Sequence, residues 1–252
     1  MFIQEREEEI MKILEQKKAV TVRDLSRKLY VSEATIRRDL NRMEHSGAIR
    51  RSHGGAVLVE GIKEDPSLLV REQENIGGKQ KIARKAVDFI RPSDTVFLDS
   101  SSTAGEVISL LKGYDFLTVI TNGMKNALRL SRETEAEVYM AGGHINSRSG
   151  AALDGDTAAY FMQRYADVAM VSCNGVEPEH GITDASPEHS RIKKLMLGNA
   201  RTKILLCTGN KFGLTYMCRT ADFSEIDYLI TDKAPDSAIR EVIEGQGCEV
   251  VF

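Results

Sequence analysis

The sequence predicts an α/β protein with a small helical domain over residues 1–57, a linker over 58–78 and a larger domain over 79–252. Three observations lead to this prediction. Apolar residues recur at helical spacing in the first part. In the last part, short apolar runs alternate with amphipathic segments, as in a mostly parallel sheet covered by helices on both faces. The segment between them carries glycines, a proline and few apolar residues.

Two helices are predicted to open the N-terminal domain. The first spans Glu5–Lys18, where apolar residues three and four positions apart would face a core. Thr21 stands where the second begins, and Asp24 follows three residues later, a pairing typical of a capped N-terminus. Leu25 and Leu29, four residues apart, place one face of this helix inward.

A third helix is predicted after a tight turn at Tyr30-Val31, with Ser32 as its N-cap and its end near His45. The other faces of this helix carry polar and basic residues, which suits insertion into the major groove of DNA. Its inward face is apolar and consists of Ile36, Leu40 and Met43.

A short two-stranded wing is predicted to follow, with a strand over Ala48–Arg51 and a hairpin tip at His53-Gly54-Gly55 that can approach a phosphate backbone closely. Charged helix faces are usually only solvated. Here, however, five arginines fall within fifteen residues of the third helix and the wing, which favours DNA binding. The predicted DNA-contacting residues are Ser32, Glu33, Thr35, Arg37, Arg38, Arg42, Arg50, Arg51, His53 and Gly54.

The stretch VSEATIRRDLNRMEHSGAIRRSHGGA, residues 31–56, resembles the N-terminal signature of the DeoR family of bacterial transcription regulators. It matches the family pattern V-S-x-x-T-I-R-R-D-L and the tail R-x-H-G-G-A. The motif is long and far more specific than a generic helix-turn-helix pattern. The resemblance implies a winged helix-turn-helix domain that binds DNA.

Composition places the chain among globular proteins, with 42% hydrophobic and 28% charged residues. No apolar run approaches a membrane span of roughly 20 residues, and the charged start of the chain lacks the pattern of a signal peptide, so we expect a cytoplasmic protein. The four cysteines have no C-x-x-C spacing, and Cys173 and Cys207, which lie in apolar strand-like runs, are expected to be reduced packing residues. Residues 1–56 hold 12 Lys and Arg against 9 Asp and Glu, whereas the rest holds 22 against 28. The N-terminal domain, called the head below, is therefore basic and the rest of the chain acidic, which is consistent with a head that binds nucleic acid.

Helices and strands are predicted to alternate from residue 79 onward, and ligands of such sheets bind beyond the carboxyl ends of the strands. The predicted helices are Lys79–Ile90, Thr103–Leu111, Met124–Leu130, Asp156–Tyr165, Glu188–Ala200 and Ala238–Glu244. The predicted strands are Thr95–Leu98, Leu117–Thr121, Glu137–Ala141, Val168–Cys173, Lys203–Cys207, Asp227–Thr231 and Glu249–Val251.

Polar residues and glycines follow four of these strands. The hydroxyl-rich run Asp99–Thr103 precedes a helix and predicts an anion cradle, with phosphate as its guest. Lys193 or Lys194, on a helix, and Lys211, after a strand, would add positive charge. Serines before a helix are often only caps, but recurrence at four strand ends on one edge favours a ligand site. The predicted effector-binding residues are Asp99, Ser100, Ser101, Ser102, Thr103, Thr121, Asn122, Gly142, Gly143, Asn174, Gly175, Lys193 and Lys211.

This second part also resembles the DeoR family, through the blocks FLDSSST, VITN, AGG and NKFG of its effector domain. The resemblance implies a fold similar to ribose-5-phosphate isomerase and coenzyme A transferases, and a phosphorylated sugar or related metabolite as inducer. Two positions depart from the family pattern: Ser101 replaces a glycine and Thr208 replaces an aspartate.

The leading hypothesis is a transcription regulator, more specifically a repressor, that binds operator DNA as a homodimer or homotetramer and responds to a phosphorylated sugar-type effector. No cofactor, metal or membrane partner is predicted. The alternative is a sugar-phosphate isomerase-like or aldolase-like enzyme with a DNA-binding head, in which Asp99, Glu188 and Lys211 act as base and electrophile; turnover of sugar phosphates would distinguish the two. A nucleoid-type DNA protein without a ligand is a third hypothesis, and the large α/β body argues against it.

Overall fold

The computed structural model describes residues 3–45, 49–52, 54–57 and 67–252, which fall into two compact units, Met1–Val70 and Arg71–Phe252. The helices are α1 (Ile3–Lys17), α2 (Val22–Leu29), α3 (Glu33–His45), α4 (Leu68–Gln73), α5 (Ile76–Ala86), α6 (Ser102–Gly105), α7 (Met124–Glu133), α8 (Gly155–Met162), α9 (Pro187–Gly198) and α10 (Ser237–Gly245). The strands are β1 (Ala19–Thr21), β2 (Arg50–Ser52), β3 (Gly55–Val57), β4 (Thr95–Leu98), β5 (Thr118–Thr121), β6 (Glu137–Met140), β7 (Ile145–Asn146), β8 (Ala151–Ala152), β9 (Ala166–Ser172), β10 (Gly175–Glu177), β11 (Gly181–Asp184), β12 (Ala200–Cys207), β13 (Cys218–Ala221), β14 (Tyr228–Thr231) and β15 (Glu249–Val251).

Local capping signals set the helices of the first unit. Thr21 Oγ1 accepts a hydrogen bond from the Asp24 N–H at 3.1 Å and donates to Asp24 Oδ2 at 2.8 Å. Tyr30 ends α2 in a left-handed conformation with φ of 56°. Ser32 Oγ then accepts from the Thr35 N–H at 3.1 Å, immediately before α3. The predicted caps and the predicted turn are confirmed.

The core of the first unit is the apolar face that the helical spacing predicted. Ile36, Leu40 and Met43 of α3 are at most 3% exposed. They pack with apolar residues of the other two helices and of the small sheet, which include Ile10, Ile13, Leu14, Val20, Leu25, Leu29, Ile49 and Ala56.

The wing has three strands, so the prediction of two was wrong. The strand order is β1-β3-β2, and both pairings are antiparallel. The added strand, β1, lies just before α2, in a stretch too short to show an alternating pattern. Gly55 permits the pairing, because a side chain there would lie 2.1 Å from the Val20 carbonyl oxygen. His53, predicted at the hairpin tip, and Ala48, at the start of the predicted strand, lie outside the described residues, and for Arg50 only the backbone is described.

Part of the predicted linker is helical. α4 occupies residues 68–73, and α5 begins at 76, three residues before the helix predicted from Lys79. Asn75 caps α5, because its Oδ1 accepts from the Gly78 N–H at 3.3 Å. Residues 58–66 lie outside the described part of the chain.

The second unit is built on a seven-stranded sheet of order β15-β14-β12-β9-β4-β5-β6 within the described residues. All six pairings are parallel, which confirms the predicted sheet. Successive side chains of β4 face opposite sides: Phe97 belongs to an apolar cluster that includes residues of α8, α9 and α10, whereas Val96 and Leu98 belong to a second cluster that includes residues of α5, α6 and α7. The expected helical cover on both faces is therefore confirmed.

One predicted helix is much shorter in the structure. Thr103–Leu111 was expected to be continuous, but α6 ends at Gly105, and a single 3-10 turn follows over Ile108–Leu110. Arg129 Nη1 donates to the Gly105 carbonyl oxygen at 2.8 Å and so occupies the acceptor that a continuing helix would use. Sequence patterns also missed two antiparallel additions, the ribbon β7–β8 and the sheet β10-β11-β13.

Candidate functional site

The predicted recognition surface of the first unit is the outward face of α3. Arg37 Nη2 donates to Glu33 Oε2 at 3.0 Å, and the two side chains stay 59% and 45% exposed. Arg38 Nε makes a long contact of 3.4 Å to the Ala34 carbonyl oxygen, and its side chain is exposed. Two guanidinium groups are thus presented to solvent on the first turns of the helix. Ser32 and Glu33 are exposed as well, and Thr35 is half-buried.

Arg42, also predicted to contact DNA, is tied to its own unit. Its Nε donates to Glu7 Oε1 at 2.6 Å and its Nη2 to Asp39 Oδ1 at 2.6 Å. Asp39 is buried and binds Arg6 as well, at 2.5 and 3.0 Å. These ion pairs fasten α1 to α3. Sequence reasoning missed Asp39, although it stands three residues after Ile36 on the same inward face.

Arg51 fastens the wing to the recognition helix. Its Nη1 donates to Asn41 Oδ1, its Nε donates to the Gly55 carbonyl oxygen at 3.2 Å, and its backbone N–H donates to Glu44 Oε1 at 2.9 Å. The wing therefore has a set position relative to α3. Gly54 is exposed at the turn with φ of 89°. Polar residues of α3 that sequence reasoning left unassigned hold this arrangement.

In the second unit, the carboxyl ends of the parallel strands share one edge of the sheet, where the predicted effector residues lie. Asp99, just after β4, is 2% exposed. Its Oδ1 accepts from the Ser101 N–H at 3.0 Å and hydroxyl at 2.5 Å, and its Oδ2 accepts from the Ser172 N–H at 3.0 Å. Ser101 Oγ also accepts from the Ala104 N–H at 3.1 Å as the N-cap of α6. Asp99 and Ser101 thus organise the loop and join it to the end of β9.

The next strand end holds an incompletely satisfied amide. Asn122 is 2% exposed, and its Nδ2 donates to the Ala152 carbonyl oxygen at 3.0 Å. Its Oδ1 is buried and has no hydrogen-bond partner within the described ranges. Thr121 Oγ1 is used locally, because it accepts from the Gly123 N–H at 3.1 Å. Asn122 therefore keeps one acceptor available for a ligand donor.

Two of the predicted glycines have a packing role. Gly143 has φ of 131°, and a side chain there would lie 2.3 Å from Asp154 Oδ1. A side chain at Gly175 would lie 2.1 Å from the Leu214 carbonyl oxygen. Close approach of the chain to itself therefore accounts for both residues. Gly142 is exposed, and Asn174 is half-buried with its Oδ1 accepting from the Ala185 N–H at 3.2 Å.

Lys193 is fixed inside the unit. Its Nζ lies 2.5 Å from Asp184 Oδ1, and Thr220 donates to the second oxygen of that carboxylate at 2.7 Å. Burial acts to lower the pKa of Lys193, but the charges of Asp184 and Asp99 outweigh it and raise the pKa overall. Lys193 is therefore a buried, charged partner of two carboxylates, whereas Lys194 is exposed.

Lys211 lies across the end of β9. Its Nζ donates to Ser172 Oγ at 3.1 Å and to the Cys173 carbonyl oxygen at 2.6 Å. Because Asp99 accepts from the N–H of the same Ser172, Lys211 and the hydroxyl-rich loop meet at one residue. The structure thus brings together two of the predicted elements of the anion site.

A third element, Lys79, was not predicted. Lys79 is 5% exposed, and its Nζ donates to the Arg71 carbonyl oxygen. Ser102 Oγ donates to the same oxygen at 3.3 Å, so Lys79 lies beside the hydroxyl-rich loop. Its sequence position held a signal, since it stands three residues before Ile82 in the buried stripe of α5, where a lysine is unexpected.

Burial and charges of both signs act on Lys79. Burial lowers its pKa most, and the nearby charge of Lys211 lowers it further, with a smaller contribution from Arg71. Glu74 and Glu106 act in the opposite direction but do not restore the ordinary value, and the pKa of Lys79 falls to about 8. A buried amine that shares its surroundings with other cations is suited to an anionic guest.

Comparison with known proteins assigns both units. The DeoR-like helix-turn-helix domain matches residues 6–61, and the DeoR C terminal sensor domain matches residues 74–233. The chain belongs to the DeoR family. It is therefore a DNA-binding transcription regulator, with the head and sensor domain expected from the two sequence motifs.

Relatives of this DeoR-family regulator match it over nearly their whole length. The HTH-type transcriptional regulator GolR of Listeria innocua is 33% identical over 99% of this chain and 98% of GolR. The glycerol-3-phosphate regulon repressor of Escherichia coli K12 is 27% identical over 95% of this chain and 94% of the repressor. Among solved structures, ribose 5-phosphate isomerase A of Methanocaldococcus jannaschii has a TM-score of 0.39 and 18% identity over 53% of each chain. That likeness is partial and bears on neither ligand nor activity.

Two findings concern other classes of site and partner. Within the described residues, no three His, Cys, Asp or Glu side chains are grouped so as to hold a metal ion. Among the helices of those residues, none combines the length and the apolar character needed to cross a bilayer.

Proposed function

We propose that this DeoR-family regulator is a repressor whose release from operator DNA is triggered by a phosphorylated sugar-type effector in the sensor domain. The observation that carries the proposal is the gathering of Lys79, Lys211 and Arg71 beside the loop Asp99–Thr103. The relative named a glycerol-3-phosphate regulon repressor supports repression as the mode of regulation.

Charge indicates that the effector carries a phosphate. Burial and the neighbouring charges of Lys211 and Arg71 disfavour the protonated form of Lys79, and a bound dianion would offset this cost in free energy through charge-assisted hydrogen bonds. The helix dipole of α6 contributes little, because that helix has only four residues. We therefore expect the phosphate to be bound mainly by lysine and arginine side chains and by the hydroxyls of Ser102 and Thr103. The N-terminus of α6, which the sequence had suggested, would contribute less.

The hydroxyl groups of the ligand would be recognised at the end of the neighbouring strand, β5. The unpartnered Oδ1 of Asn122 can accept a hydrogen bond from a ligand hydroxyl. Asp99, whose two carboxylate oxygens already accept bonds from the protein, would hold the loop in place. A ligand with a phosphate at one end and hydroxyls at the other satisfies both features.

On the DNA side, Arg37 and Arg38 would contact base edges, and Arg51 would set the angle of the wing. A single recognition helix contacts few base pairs, so we propose that a homodimer or homotetramer pairs two heads on one operator. Effector binding would then change the spacing of the heads. It can do so only if the ligand binds the two arrangements with different affinity.

The competing proposal of an isomerase-like activity receives less support. Glu188 is exposed at the first turn of α9, where its carboxylate accepts from the Ser186 hydroxyl at 2.6 Å. Asp99 and Lys211 both hold Ser172. Glu188 is thus engaged at the start of α9, apart from the pair that meets at Ser172, and we propose that the domain senses sugar phosphates without converting them.

The test begins by selecting a duplex from a random-sequence pool with the wild-type chain. Fluorescence anisotropy then measures release of this duplex by a panel of triose, pentose and hexose phosphates. We expect at least one of them to release the duplex and to be recovered unchanged. Lys79→Met should abolish release, whereas the exposed Lys194→Met should not. The proposal would be contradicted if the Lys79→Met variant released the duplex at the ligand concentrations that release it from wild type, or if the ligand were converted.

A further inference from the structure

Two cysteines lie side by side at the sheet edge that holds the effector site. Cys173 and Cys207 each stand one position beyond Ser172 and Leu206, the last residue pair between β9 and β12. Their Sγ atoms are 4.0 Å apart. Side chains at neighbouring positions of adjacent strands are at the separation that disulfides span, so closure requires only side-chain rotation and a small shift of the strand ends.

The two thiols have unequal surroundings. The hydrogen-bonded contact between the two Sγ atoms lowers the pKa of Cys173, and the nearby positive charges of Lys211 and Lys193 also lower it, whereas burial acts in the opposite direction. The same hydrogen bond, together with burial, raises the pKa of Cys207. Cys173 also keeps 4% of its surface exposed, whereas Cys207 is fully buried. The partly exposed Cys173, with two lysines nearby, is the better placed of the two to attack an oxidant, and Cys207 lies within reach to resolve the product.

We propose that Cys173 and Cys207 are a reversible dithiol switch that hydrogen peroxide closes to a disulfide. The Cys173 thiolate attacks one peroxide oxygen, the O–O bond breaks, and the leaving oxygen departs as water after taking up a proton. Cys207 then displaces the hydroxyl of the resulting sulfenic acid, and its proton leaves with that hydroxyl as a second water. Two thiols are oxidised, and one peroxide is reduced to two waters.

Closure would act on the effector site, a consequence that rests on the proposed function. Lys211 is held by the carbonyl of Cys173, and it follows Cys207 by four residues. Drawing the two sulfurs together would move the Cys173 carbonyl oxygen, which accepts from Lys211, and the end of β12, from which the chain continues to Lys211. Loss of one charge-assisted contact to phosphate corresponds to about tenfold weaker binding.

The experiment exposes the full reduced chain to hydrogen peroxide, blocks the remaining thiols with N-ethylmaleimide and maps the peptides by mass spectrometry. We expect two of the four thiols to be lost, a Cys173–Cys207 linked peptide to appear, and dithiothreitol to restore both thiols. Cys207→Ser should give no link and leave Cys173 as a sulfenic acid that dimedone traps. Cys218→Ser is the matched control and should form the link as wild type does. Binding of the sugar-phosphate panel is measured before and after oxidation.

Three outcomes separate the claims. If the half-buried Cys218 is oxidised first and no Cys173–Cys207 peptide forms, the switch is refuted. If the link forms and ligand affinity is unchanged, the coupling to the effector site is refuted. If the reduced protein binds no sugar phosphate, the proposed function fails, and the linked peptide alone decides whether the switch exists.

Discussion

Effector binding should take up a proton, because the site contains an amine with a depressed pKa. The pKa of Lys79 is about 8 in the free protein, against an ordinary value of 10.5. A bound phosphate dianion favours the charged amine and raises that pKa again. Binding is therefore tightest below pH 8, where Lys79 is already protonated, and weakens as the pH rises above that value.

The size of the effect follows from the same shift. Near pH 8, about half a proton should be taken up for each ligand bound, and above it the dissociation constant should rise up to about tenfold per pH unit until the pKa of the complex is reached. The ligand contributes little to this slope, because the second pKa of a phosphate monoester is about 6. Calorimetric titration of the active sugar phosphate in buffers of different ionisation enthalpy measures the uptake directly.

Lys79→Arg is the control that assigns the proton. A guanidinium keeps its positive charge across this range, so the variant should bind with no uptake near pH 8, even if its affinity differs from that of wild type. If Lys79→Arg takes up the same fraction of a proton as wild type, the titrating group lies elsewhere and the reasoning from Lys79 is refuted.

Three further predictions concern the head and the loop of the sensor domain. Arg37→Ala and Arg38→Ala should each weaken binding to the selected duplex by about 1–3 kcal/mol in anisotropy titrations, with circular dichroism unchanged; wild-type affinity would remove α3 as the recognition helix. Asp39→Ala should destabilise the head by about 3–5 kcal/mol in urea denaturation, because the buried Arg6 would keep its charge and lose the carboxylate that it binds. A shift below about 1 kcal/mol would show that water compensates Arg6. Thr103→Asp should still bind the duplex but resist release by sugar phosphate; normal release would place the phosphate away from this loop.

The parts of the fold that were predicted are those set by local chemistry. Thr21 and Ser32 mark helix starts through hydrogen bonds within three residues, and the sheet strands are apolar because helices cover both faces. The parts that were missed depend on distant partners. α6 ends early because Arg129, on another helix, takes the Gly105 carbonyl oxygen, and β1 forms only because β3 reaches it.

The same distinction separates the predicted and the missed parts of the candidate site. Hydroxyls and glycines at strand ends mark the edge of the sheet, because parallel strands end on the same side. Their individual roles depend on packing: Gly175 accommodates the Leu214 carbonyl oxygen, and Lys193 turns inward to Asp184. The pKa of Lys79 is lowered only in the fold, first by burial and then by the charge of Lys211. Neither residue is informative about the other in the sequence alone.

The geometry of Ser172 indicates how a ligand at the loop would influence the sheet. Its N–H is held by Asp99 and its hydroxyl by Lys211, so the end of β9 is fixed from both sides. A phosphate that attracts Lys211 competes with Ser172 and with the Cys173 carbonyl oxygen for the same ammonium group. The charge on Asp99 also supports the protonated state of Lys193. We therefore expect ligand binding to loosen the end of β9 before it affects any other strand, and amide hydrogen exchange at Ser172 and Cys173 should rise on binding. Unchanged exchange at both amides, with exchange altered elsewhere, would show that the signal leaves the site by another route.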